Sequence, residues 1–191
     1  MWSWGGWVRK TAHHFFRSFL TWFLVYCMKI LQLCCFTNLW GPGQTVESID
    51  LKSGRDLFNT PRDYGKNFDL VCAAPPCTQF TKANVTKWKS YPDKDIKLAQ
   101  LCFDICRSSA GLWFLENPPG RIERFLPELT LHRVLTWSGN LTNKEYILYS
   151  NFLILSSLEQ RYGKKCIERN KTIREKWQPD LIDTIKASLL F

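Results

Sequence analysis

A chain of 191 residues that is 45% hydrophobic can build one domain with a real core, is too short for two comfortable ones, and is too apolar to be disordered. Its net charge of +9 and pI of about 9.2 favour a polyanionic partner, nucleic acid or an anionic membrane surface. Eight cysteines without regular spacing, several inside apolar runs, exclude a disulfide-framed secreted scaffold and fit reduced thiols in a cytoplasm.

Residues 1–27 carry four tryptophans and four phenylalanines beside Arg9, Lys10, His13, His14 and Arg17. The uncharged run 18–28 follows that basic patch, as in an anchor, but Lys29 cuts it short of the roughly 20 residues a span needs. We read 1–27 as an N-terminal extension outside the fold. Contact of this stretch with a membrane surface is the less favoured alternative. The domain is expected over 28–191.

Residues 29–36 read as a first strand, and Trp40-Gly41-Pro42-Gly43 as part of the loop after it. Residues 46–50 form a second short strand ending in Asp50, and the turn Ser53-Gly54-Arg55-Asp56 presents a second acid. The apolar run 70–74 is a buried strand stopped by Pro75-Pro76, because proline has no N–H for a ladder. Residues 78–93 are polar and loop-like. Residues 93–110 are amphipathic, with Leu98, Leu101, Cys102 and Ile105 on one helical face. Residues 111–115 repeat the earlier design: an apolar strand, then Glu116-Asn117, then Pro118-Pro119. Alternating β and α gives an α/β domain with a mostly parallel, Rossmann-like sheet. Residues 133–137 and 147–155 suggest two further strands, arranged as a hairpin, and 180–190 a closing helix. Between them, 160–176 holds seven Lys/Arg against two Glu. It is expected to meet a nucleic-acid backbone rather than read bases, with a solvated surface run as the alternative.

Two strand ends therefore deliver reactive groups to one rim. Cys77 follows the proline stop at the carboxyl end of a strand, where ligands of open α/β sheets collect. A thiolate is a strong nucleophile near neutral pH, and backbone N–H groups or nearby cations can activate it. The plain reading of Cys77 is a small apolar turn residue. A partly buried glutamate at Glu116 can hold a proton and donate it to a ring nitrogen, or it can simply cap a strand end. Together the two suit covalent attack on an electron-poor ring.

Ala74-Pro75-Pro76-Cys77-Thr78 and Glu116-Asn117-Pro118-Pro119-Gly120-Arg121 resemble the catalytic motifs of DNA (cytosine-5) methyltransferases, most closely short phage and prophage forms. The resemblance covers about 28–191. It implies a class I S-adenosylmethionine-dependent methyltransferase-like fold. It implies that Cys77 adds to carbon 6 of a flipped cytosine while Glu116 holds ring N3, so that carbon 5 takes the methyl group. It further implies S-adenosylmethionine contacts by Phe36, Thr37, Asn38, Asp50, Asp56 and Pro75, and substrate contacts by Pro76, Asn117 and Arg121. DNA is the implied partner, with RNA as a second candidate, and no metal is implied.

Three departures from the pattern stand out. Asn38 occupies the position of the expected glycine. Only nine residues separate Phe36 from Val46, where a helix and a turn are expected, so that helix is cut to about one turn or the copy is damaged. Arg121 and Arg133 only partly substitute for an arginine-rich motif, and 126–155 is too short for a separate target-recognition domain. A catalytically inactive relative that binds DNA or protein is the rival reading.

Overall fold

The structure, a computed structural model, describes residues 28–35, 40, 44–51, 53–78, 80, 93–138, 145–153 and 185–189. The N-terminal extension, Phe36-Thr37-Asn38 and the basic segment 160–176 lie outside these residues.

Six strands make one sheet: β1 (Lys29–Leu33), β2 (Thr45–Ile49), β3 (Leu70–Ala73), β4 (Leu112–Asn117), β5 (Arg133–Ser138) and β6 (Glu145–Ser150). Their spatial order is β2-β1-β3-β4-β6-β5. The first four run parallel, while β6 is antiparallel to both β4 and β5. The result is an α/β architecture with a mostly parallel, mixed sheet compatible with a Rossmann-like fold. β5 and β6 are the expected antiparallel pair, but β6 starts at Glu145 and stops at Ser150 instead of running over 147–155.

The sequence sets most strand limits through residues that cannot continue a ladder. β3 ends ahead of Pro75-Pro76, and β4 continues through Glu116 and Asn117 to stop at Pro118. β1 ends at Leu33, earlier than residue 36, because Cys34 adopts φ 58° and leaves the extended region. At the opposite end, the register is pinned around Asp69. Its N–H donates to the Lys29 carbonyl at 2.9 Å, its carbonyl accepts from Leu112 N–H at 2.9 Å, and its carboxylate accepts from Lys29 N–H at 2.7 Å. Gly111 is required there, since a Cβ would lie 2.2 Å from the Asp69 carbonyl oxygen.

Strand alternation sends two sets of side chains to two faces. Leu31, Leu33, Val71, Ala73, Trp113, Leu115, Ile147 and Tyr149 face the helix α1 (Asp93–Ser108). α1 meets them with Ala99, Cys102, Phe103, Ile105 and Cys106, and the Phe103 ring stands edge-on to Trp113 at 5.8 Å. Leu101 is buried and Leu98 half-buried, as the amphipathic pattern requires. The opposite face carries Ile30, Leu70, Cys72, Phe114, Tyr146 and Leu148, packed with Trp40 and with Ile185 of the helical segment 185–188. Trp40 belongs to the short β1–β2 connection and is only 3% exposed. Its indole packs into the apolar cluster on this face of the sheet. The Lys186 ammonium stands over its ring at 5.9 Å.

Candidate active site

The strand order has a switch point. The chain leaves β1 toward β2 on one side, then returns past β1 to β3 on the other. Connections that diverge from neighbouring parallel strands leave a crevice beyond their carboxyl ends, the usual ligand position in open α/β sheets. Around this rim stand Cys34 and Cys35 after β1, Asp50 after β2, the 74–78 segment after β3, and Glu116-Asn117 closing β4. β3 and β4 are adjacent and parallel, with Ala73 opposite Leu115, so Cys77 and Glu116 belong to neighbouring ends of the same rim.

Two ties hold the Cys77 segment against the segment after Glu116. The Asn117 side-chain amide donates from Nδ2 to the Pro75 carbonyl at 3.1 Å. The Arg121 backbone N–H donates to the Phe80 carbonyl at 2.8 Å. Between them, Phe80 N–H donates to the Cys77 carbonyl at 2.9 Å and closes a turn on the cysteine. Phe80 is fully buried, 6.0 Å from the Phe125 ring in α2 (Ile122–Phe125), and anchors that turn in the core. Pro75 and Pro76 can offer only carbonyls, so a side-chain donor such as Asn117 is the group able to fasten them.

Cys77 is half-buried. Four other thiols differ from it in being fully packed: Cys35, Cys72, Cys102 and Cys106. Hydrogen bonding to the Cys72 thiol, followed by burial, pushes the Cys35 thiol up, and burial does the same for Cys106. Such thiols are poor nucleophiles. Glu116 is 4% exposed and shares its face with Phe114, near enough to Cys35 to add to that thiol's upward shift.

The residues assigned to the cofactor meet different fates. Asp50 is buried beside β2, and its Oδ1 accepts from Ser53 N–H at 2.7 Å. Asp56 is exposed, and its Oδ1 caps a 3-10 turn by accepting from Phe58 N–H at 3.0 Å. Each acid therefore organises a local turn. Pro75 is buried and Pro76 half-buried. Asn117 is fully buried. Half-buried Arg121 has its guanidinium 5.8 Å from the Phe125 ring. Arg133 stands 3.6 Å from Glu123, which also accepts from the Tyr149 hydroxyl at 2.9 Å.

Sequence reasoning missed two contributors. Phe80 gave no signal beyond being an aromatic in a polar stretch. Trp40 gave a weak one, a large apolar residue in a Gly/Pro loop, where burial is the usual reason for such a side chain. Among the described residues no group of three His, Cys, Asp or Glu converges on a metal position. Compared with family models and with curated proteins, the chain matches no family and no characterised relative.

Proposed function

We propose that this chain is a class I S-adenosylmethionine-dependent methyltransferase-like enzyme that methylates carbon 5 of cytosine in DNA through a covalent cysteine adduct. One observation carries the reading. The motif cysteine and the motif glutamate end adjacent parallel strands beside the switch point, and Asn117 and Arg121 bind their two segments together.

The chemistry follows from these residues. The Cys77 thiolate attacks carbon 6 of a cytosine turned out of its stack, which pushes electron density onto carbon 5 and ring N3. Glu116 carries a proton to N3 or holds it there, offsetting that charge. The tether from Asn117 keeps the nucleophile from drifting away from the acid. S-adenosylmethionine, when bound, supplies the methyl group to carbon 5. A base then removes the carbon-5 proton, and Cys77 leaves as thiolate. Asp50 suits the ribose hydroxyls, since it is an acid placed directly after the second strand at the rim. Asp56, exposed and able to accept, suits the adenine amino group.

The test uses DNA in which the cytosine carbon-5 hydrogen is replaced by fluorine, so that final elimination is blocked. With S-adenosylmethionine the protein should remain attached through a denaturing gel. Cys77→Ser should abolish the band, and Glu116→Gln should reduce it strongly. Attachment that persists in Cys77→Ser refutes the assignment. Parallel fluorocytosine RNA distinguishes the nucleic acid used.

A second reading rests on the β1–β2 connection. Only residues 34–44 join these parallel strands, and Trp40 within that stretch is buried under the sheet. So short a crossover favours an inactive relative that binds DNA or protein without the cofactor. Calorimetry with S-adenosylmethionine separates the two: no heat of binding and no trapped complex selects the inactive form.

A further inference from the structure

The mechanism makes no use of a cysteine pair that begins at the same rim. Cys34 is the residue after β1, and Cys102 lies in the middle of α1. They are 68 residues apart in sequence, yet their Sγ atoms are 3.9 Å apart. A disulfide needs about 2 Å, so forming one requires the two sulfurs to close in by about 2 Å. The two differ in access: Cys34 is partly exposed, whereas Cys102 is fully buried. Cys34 also holds its left-handed φ of 58°, and its N–H donates to the Ile49 carbonyl at 3.0 Å, which fixes the residue between β2 and α1.

We propose that Cys34 and Cys102 are an oxidative modification site that forms a reversible disulfide with hydrogen peroxide, stapling the end of β1 to α1. Cys34, the accessible thiol, reacts first. Its sulfur attacks one peroxide oxygen, the O–O bond breaks, and the released hydroxide takes a proton to become water. The Cys34 sulfenic acid that results is attacked by the Cys102 sulfur. The S–S bond forms, the S–O bond breaks, and hydroxide leaves as water with the Cys102 proton. Two thiols are oxidised by two electrons, and one peroxide is reduced to two waters. Cys102 suits the second role. Its hydrogen bond with Cys34, followed by burial, pushes its thiol up, so it is a poor first reactant but is already in contact with the activated sulfur.

The site stands independently of the methyl-transfer reading. It is tested on the full-length protein treated with a modest excess of hydrogen peroxide, digested without reduction and mapped by mass spectrometry. The expected result is a crosslinked pair of peptides containing Cys34 and Cys102, lost on treatment with dithiothreitol. Closing a loop of this length should raise the melting temperature by up to about 10 °C in the oxidised protein. That rise should be absent in Cys34→Ala and in Cys102→Ala. Because mapping is done on the unaltered chain, it stands even if a variant folds poorly. Oxidation of Cys34 to sulfinic acid with Cys102 still free, or a crosslink from Cys34 to Cys35 or Cys72, overturns the proposal.

Discussion

Replacing Asn117 by aspartate changes one nitrogen to one oxygen and leaves shape intact, so it isolates the tether to Pro75. In the native chain Nδ2 donates to the Pro75 carbonyl, and the side chain is fully buried. An ionised carboxylate at that position loses the donor and points its lone pairs at a carbonyl in a dehydrated site. The lost hydrogen bond costs about 1 kcal/mol, and burying the poorly paired charge adds about 2 more. A penalty of about 3 kcal/mol at neutral pH corresponds to a carboxyl pKa raised from about 3.9 unfolded to about 6 folded, at about 1.4 kcal/mol per unit. The sign follows from proton binding. The folded form holds its proton more tightly than the unfolded chain, so the variant's deficit grows as pH rises through the folded value and fades below the unfolded one. Once protonated, the carboxyl can donate to Pro75 as the amide did. Urea unfolding of Asn117→Asp against the native chain should give a deficit of about 3 kcal/mol at pH 7, about 1.5 at pH 5 and about 0.5 at pH 4. Alkylation of Cys77, followed by mass spectrometry relative to the native chain at each pH, should show its largest departure at pH 7. A deficit independent of pH, or one below about 0.5 kcal/mol at pH 7, would show that the Pro75 segment is held by something else.

Two more outcomes follow from the structure and a third from the sequence. Trp40→Ala should cost about 3–5 kcal/mol in chemical denaturation, the range for deleting a buried aromatic, and a loss under about 1 would mean that the indole does not hold its face of the sheet. Gly111→Ala should cost about 2–4 kcal/mol because its Cβ meets the Asp69 backbone, whereas Gly54→Ala, at φ 73° with open space around it, should cost only about 1–2 from backbone strain. Changing Lys164, Lys165 and Arg169 to glutamine should weaken binding to all DNA sequences alike and lower the slope of log K against log salt by up to about 3; an unchanged slope counts against a backbone-binding role for the 160–176 segment.

The sequence was most readable where prolines and glycines punctuate apolar runs. β3 and β4 are bounded by Pro75-Pro76, Gly111 and Pro118, and α1 declared itself by the spacing of Leu98, Leu101, Cys102 and Ile105. The adjacency of Cys77 and Glu116 at one rim followed from reading both as ends of parallel strands. Less was visible where tertiary packing overrides local pattern. Nothing local to Cys34 marks a left-handed backbone, so β1 was expected to run further than it does. Trp40 sits among glycines and a proline, and only the three-dimensional fold makes it part of a core. Asp50 and Asp56 carry turn hydrogen bonds, the ordinary use of such acids. The nucleotide-holding role proposed for them has no signature in the local sequence.

The strand order also sets a timetable for folding. At one edge of the sheet, β1 and β2 pair across a short link, Lys29 opposite Thr45. At the other edge, β5 and β6 pair across a still shorter one, Ser138 opposite Glu145. The two central strands are joined over much longer stretches, with Leu70 opposite Leu112 and Asn117 opposite Ile147. Loop-closure entropy favours near contacts, so the edges condense early and the middle of the sheet closes afterward. Cys77 and Glu116 both belong to that middle. Their segments are brought together only as the whole domain locks, so a partly folded chain emerging from synthesis carries the thiol and the acid apart from one another.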